Sequence, residues 1–233
     1  MQFELLDKPD FTILRVLFDA PGEQVLAEPS AMVARDTAVQ LQTELTGGAM
    51  AAMKRKLLAG GTMFLNTFTG TAPGQSLWIA PGPEGDIEML QCDGAAPVFL
   101  SSGAFLASAP TVRLDANWGG AKGLFSGTGT FLLKAEGHGA LFLCAYGGIH
   151  TVDVGQYPSG YVVDTQHIVA WTGGLDYKVR SVGGLKSLFL SGEGLVCEFR
   201  GTGRLWISTR NPGSLAAFLQ AFRRVGGRGA SGS

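Results

Sequence analysis

Two stretches of this chain read alike: FSGTGTFLLKAEGHGALFL (Phe125–Leu143) and LSGEGLVCEFRGTGRLWI (Leu190–Ile207). Each runs Ser-Gly-x-Gly, then seven or eight residues with apolar positions, then Gly-x-Gly, then a short apolar run. They align at an offset of 65, Gly127 and Gly129 against Gly192 and Gly194. A third version, LLAGGTMFLNTFTGTAPGQSLWI, places Gly61 another 66 residues upstream, with a longer turn between Gly70 and Gly74. Its closing Leu77-Trp78-Ile79 matches Leu205-Trp206-Ile207, and Leu141-Phe142-Leu143 fills that place in the middle copy. Self-similarity at a fixed period marks units that share one core, because a single unit cannot bury its own apolar face.

The unit reads as β structure. In LVCEFR, Leu195, Cys197 and Phe199 alternate with Val196, Glu198 and Arg200, the period of a half-buried strand. Gly201-Thr202-Gly203 then supplies a hairpin turn, since glycine takes positive φ without steric cost. Gly137-His138-Gly139 reads as the same turn, with His138 at an exposed tip. An upstream pattern also recurs: VLAEPSAMVA from Val25, AFLASAPTVR from Ala104 and YVVDTQHIVA from Tyr161 each read as strand, tight corner, strand. Continuous apolar runs such as ALFLCAY point to strands covered on both faces. The expected architecture is all-β, three imperfect repeats spanning 11–82, 98–155 and 156–211 in one domain of residues 1–225.

Two helices interrupt the pattern. GGAMAAMKRKLLAGG predicts a helix around 49–59, bounded by glycines and carrying Lys54, Arg55 and Lys56. NPGSLAAFLQAFRRV predicts one over 214–224, with Leu215, Phe218, Leu219 and Phe222 on one stripe. That stripe is expected to pack on the β body, with subunit or peripheral membrane contact as alternatives. Asn211 or Ser214 is placed to cap the helix, and residues 226–233 read as a disordered Gly/Ser tail.

Composition limits the function classes. Charged residues make up 16% of the 233 positions and hydrophobic ones 45%, against a charged share of about a quarter in typical domains. A chain so sparing of charge is expected to hide surface in a homo-oligomer, a trimer in preference to a large ring. The net charge of −1 lacks the basic excess of a nucleic-acid binder. Cys92, Cys144 and Cys197 form no CxxC pair; Cys144 and Cys197 lie in apolar runs and read as core residues, and the expected setting is reduced and cytoplasmic. The opening MQFELLDKPD lacks the basic and apolar regions of a secretory signal, so none is expected, and no apolar run in the sequence is long enough to span a membrane.

Candidate chemistry is sparse. His138, His150 and His167 have no ligand spacing, so no metal site is expected, and no catalytic or cofactor-binding residue is assigned. The glycine phrases lack the third glycine or the following Lys of a phosphate loop. The best polar pair is Asp164 with His167, near Asp153 and His150, where a carboxylate holding an imidazole suits general-base work. The plainer account is that Asp164 and Thr165 cap a β corner with His167 beside them. Arg210 is placed to pair with a carboxylate across a subunit boundary. The four tryptophans, Trp78, Trp118, Trp171 and Trp206, read as packing anchors.

The stretches GTMFLNTFTG, LWIAPGPEGDI, VVDTQHIVAW, SGEGLV and WISTRN together resemble the altered-inheritance-of-mitochondria protein 24 family, in its bacterial branch. The likeness runs from about Phe11 to Asn211. It implies a fold similar to the tryptophan RNA-binding attenuator protein, a double-stranded β-helix or sandwich. It links the chain to a family associated, in mitochondria, with inner-membrane organisation and respiratory assembly, and it implies no activity. The family's Asp-Thr-Gly-His reads Asp-Thr-Gln-His here, with Gln166 in the glycine's place. The expected function is a non-enzymatic oligomeric scaffold or binding module. The alternatives are a small-molecule or metal-dependent enzyme using Asp164 and His167, and an RNA- or ligand-binding ring by analogy of fold.

Overall fold

The computed structural model describes residues 1–45, 64–101, 103–115, 132–181, 195–220 and 222. The expected helix at 49–59, Gly61, Gly127, Gly129, Gly192, Gly194, Trp118 and the 226–233 tail lie outside the described residues. No described helix is long and apolar enough to cross a membrane.

Short alternating runs make the first sandwich. β1 (Gln2–Leu6) pairs with β2 (Ile13–Leu17), in which Leu14 and Val16 are buried and their neighbours half-exposed. β3 (Gln24–Ala27) turns a tight corner into β4 (Met32–Arg35); β5 (Gln40–Leu45), β6 (Phe64–Thr69) and β7 (Ser76–Ile79) follow. β6 has β3 and β5 as antiparallel neighbours, while β7 has β2 and β4. The two layers close over Leu14, Val16, Phe18, Val25, Phe68 and Leu77.

The last third of the chain repeats the scheme of β2–β7 strand for strand. It comprises β13 (Ile149–Asp153), β14 (Tyr161–Asp164), β15 (Ile168–Thr172), β16 (Leu175–Ser181), β17 (Leu195–Gly201) and β18 (Arg204–Ser208). Here β17 has β14 and β16 as neighbours, and β18 has β13 and β15. Trp171, Cys197, Phe199 and Leu205 fill its core.

The middle third keeps the scheme with one strand fewer. It holds β8 (Gly85–Asp93), β9 (Val98–Ser101), β10 (Phe105–Ser108), β11 (Val112–Asp115) and the 15-residue β12 (Leu132–Tyr146). The first part of β12 pairs with β9 and β11, the second with β8 and β10. The Gly137-His138-Gly139 turn expected from the sequence is therefore not a hairpin. The strand runs on through it, and both glycines hold positive φ, 123° and 126°. A side chain at Gly137 is excluded, because its Cβ would lie 2.2 Å from the Thr111 carbonyl oxygen. The pairing also corrects the middle upstream segment. VFLSSGAFLA, from Val98, holds the strand–corner–strand role there, and AFLASAPTVR lies one strand further on.

A register shift falls at one place in all three thirds, between Met32 and Ala34, Phe105 and Ala107, and Ile168 and Ala170. It puts Ile79, Leu143 and Ile207 in one role, and Trp78, Phe142 and Trp206 in the next. The thirds join through backbone pairing, β10 with β3 and β15 with β9, which makes one sheet of eleven strands. A buried acid reinforces the joint. Asp86 accepts from the Thr12 hydroxyl at 3.0 Å and the Ile87 N–H at 2.8 Å, and pairs with Lys8 at 3.1 Å. Its other oxygen takes the Ile149 N–H at 3.3 Å.

The closing helix differs from its expected range. α1 (Pro212–Gln220) starts earlier, and no residue in it is fully buried. Phe218, Leu219 and Phe222 are 62%, 55% and 70% exposed, so the stripe expected to pack on the β body faces outward.

The Gly137 backbone yields a direct test. Gly137→Ala is expected to cost about 2–4 kcal/mol, from left-handed strain plus the Thr111 clash. Gly82→Ala, where a Cβ meets nothing within 4 Å, is expected to stay within about 0.5 kcal/mol of the native protein. Urea unfolding of the two variants side by side checks this.

Candidate functional site

Corners of β-strands carry the polar residues, because side chains there can satisfy backbone groups that leave the ladder. Three corners, one in each third, line a single cavity of about 370 Å³ together with the ends of β12 and β18. Glu28, Ser101 and Gln166 come from the corners, and Cys144, Tyr146 and Arg210 from the strand ends.

Several of the polar groups can be followed to their partners. The Ser101 hydroxyl donates to the Val169 carbonyl at 3.2 Å and the Ser208 hydroxyl to the Arg210 carbonyl at 2.8 Å. The Arg210 guanidinium donates to the Thr209 carbonyl at 3.1 Å. Burial raises the Glu28 carboxyl above the ordinary glutamate range. The Cys144 thiol donates to the Gly103 carbonyl. Burial first, and the nearby Glu28 second, push the Cys144 thiol up to about 12. Burial likewise pushes Cys197 up to about 12. A thiol held protonated is neither nucleophile nor ligand at neutral pH.

The residues singled out from sequence take separate tasks. Asp164 accepts the Gln166 N–H at 2.8 Å and so caps a 3-10 turn, Thr165–His167. Asp153 does the same for the turn Val154–Gln156, taking the Gly155 N–H at 3.1 Å. His167 turns instead to the last strand. Its Nδ1 lies 2.8 Å from the Ser208 carbonyl oxygen, which can only accept, so Nδ1 carries the proton. Its Nε2, 2.9 Å from the Asn211 amide nitrogen, then accepts. Asn211 in turn takes the Ser214 N–H at 2.7 Å and caps α1. The imidazole is thus a neutral strut between the corner and the helix. Asp164 and His167 are sequence neighbours with different partners, and Arg210 stays on the cavity wall. His138 and His150 are both exposed. Among the described residues, no three of His, Cys, Asp and Glu gather closely enough to hold a metal ion.

Sequence reasoning missed Glu28 and Asp86. An acid between Ala27 and Pro29, and one beginning the apolar run before Ile87, were the available signals. The partners of Asp86 lie 74 and 63 positions away, and no local pattern reveals that.

The fold and site define an all-β sandwich protein in which Ser101, Cys144, Ser208 and Arg210 of the candidate site are bonded to backbone carbonyls of its framework. Residues 3–210 match the family described as Mitochondrial biogenesis AIM24, and the chain belongs to that family. An uncharacterized protein of Streptococcus pyogenes serotype M6 is 30% identical over 234 aligned residues, covering 95% of this chain and 91% of the relative. The crystal structure of another Streptococcus pyogenes protein superposes with a TM-score of 0.75 at 27% identity, covering 95% of this chain and 99% of that one.

The buried thiols set a pH dependence. Above pH 9 the unfolded chain sheds thiol protons that the folded chain keeps until about pH 12, so the folded state binds more protons and stability falls with rising pH. The expected slope reaches about 1.4 kcal/mol per pH unit for each thiol. Urea midpoints measured on either side of pH 9 check it, and Cys144→Ala is expected to flatten the slope.

Proposed function

We propose that this protein is a non-enzymatic oligomeric scaffold that works through its surfaces, with three chains in the assembly. One observation carries the reading: both nitrogens of His167, the best base in the sequence, are committed to Ser208 and Asn211. An imidazole so placed braces a corner and takes no proton from a substrate. The protonated thiols of Cys144 and Cys197 support the same view. So do the large apolar side chains left exposed on β4, β14 and α1, among them Val33, Val162, Phe218 and Leu219. Three free, buried cysteines fit a reducing, cytoplasmic setting.

On this reading the three pairing schemes are copies of one unit inside a single domain of residues 1–225. The pairing supports limits near 13–79, 85–146 and 149–208, so that β8 opens the middle unit and β13 the last.

Light scattering after size exclusion is expected to give three times the 24.4 kDa chain mass. Elemental analysis of the same fractions is expected to find no stoichiometric metal. One metal per chain, lost in a folded His167→Ala variant, would overturn the reading in favour of a metal-dependent enzyme.

A further inference from the structure

Among the described residues, β5, β11 and β16 have a neighbour on one side only in every third, and β8 and β13 do so in two, their counterpart β2 being flanked by β1 as well as β7. Two others, β4 and β14, are different, because their counterparts elsewhere in the chain are paired across a boundary between thirds.

The strand after each corner pairs with the strand before the corner of the preceding third. Ala107 of β10 faces Ala27 of β3, and Ala170 of β15 faces Leu100 of β9. By its pairing with β7 and its register shift, β4 is the counterpart of β10 and β15, yet among the described residues it bonds only β7. By its pairing with β17, β14 is the counterpart of β3 and β9, yet among the described residues it bonds only β17.

Side-chain exposure follows the missing neighbour. All four residues of β10 are buried and four of five in β15, while all four of β4 are exposed. Val33 holds the place of Leu106 and Val169, which are 0% and 3% exposed; Val33 is 58% exposed. On the other strand Val162 is 47% exposed, where its counterparts Leu26 and Phe99 are half-buried.

Solitary edges are usually guarded by charge, proline or a covering segment. Here β4 offers Met32, Val33 and Ala34. Its one charge, Arg35, is turned back onto the carbonyls of Asp36, Thr37 and Val39 at 3.0, 3.0 and 2.6 Å. The Asp164 carboxylate is likewise occupied by the Gln166 N–H.

We propose that β4 of one chain pairs antiparallel with β14 of a second copy of this chain, in the register of the two internal junctions. Ala34 then faces Val163 and Arg35 faces Val162. The occupant is another copy because this chain already makes the joint twice with these strand types, and because the chain ends in one half of it at each side. The contact is head to tail, so each chain gives one edge and receives another, the kind of contact that builds a ring when its rotation closes. The inference rests on the oligomeric reading above and names its interface.

Cross-linking tests it. Chains carrying Ala34→Cys and chains carrying Val163→Cys are mixed and oxidised with copper-phenanthroline. The expected result is a disulfide-linked pair in the mixture alone, since opposed strand residues suit disulfide geometry and Cys92, Cys144 and Cys197 are buried. Val33→Asp is expected to reduce the scattering mass to that of a single chain, with an unchanged circular dichroism spectrum. An oligomer that survives Val33→Asp, with no cross-link in the mixture or with the Ala34→Cys chains linking to one another, would overturn the edge pairing and leave the scaffold standing. A native protein of single-chain mass at every concentration would overturn both.

Discussion

A strand presents backbone N–H and C=O groups on both flanks, and every one buried without a partner costs about 1–3 kcal/mol. That demand governs this molecule. Each third is a small sandwich that cannot pair all of its own strands, so β10 lies on β3 and β15 lies on β9. Apolar burial follows: Leu106 and Phe142 of the middle third belong to the core of the first, and Val169 and Trp206 of the last third to the core of the middle one. The corners come together because the strands they join are locked across these boundaries, and the 370 Å³ cavity is the space the corners leave.

Polar side chains serve that frame. Asp86 shows it best, gathering the N-terminal segment through Thr12 and Lys8 and the last third through the Ile149 N–H. Removing one partner from such a cluster strands a buried charge, which costs far more than the paired cluster contributes. His167 and Asn211 act alike on a smaller scale, tying a corner to the start of α1.

Much of this was legible in the sequence, for physical reasons. Alternation in LVCEFR and the glycines after it mark β17, its turn and β18, because strand period and positive φ are local properties. The same Gly-x-Gly at 137–139 misleads. Whether the chain turns there depends on the Thr111 carbonyl crossing above Gly137, and no neighbouring residue encodes that. Asp164 as a corner cap was within reach for the same local reason. The partners of His167 lie 41 and 44 residues on, beyond any motif. The α1 stripe was visible, but which way it faces is decided by surfaces that the helix itself does not specify.

The unbroken β12 has a mechanical consequence. In the outer thirds the two layers are separate strands joined by a connection, at 70–75 and at 202–203, so tension on the chain can peel one layer from the other bond by bond. In the middle third both layers share one continuous backbone, and separating them means shearing many bonds together. Under load the flanks give way first, and the centre persists as the keystone from which they can close again.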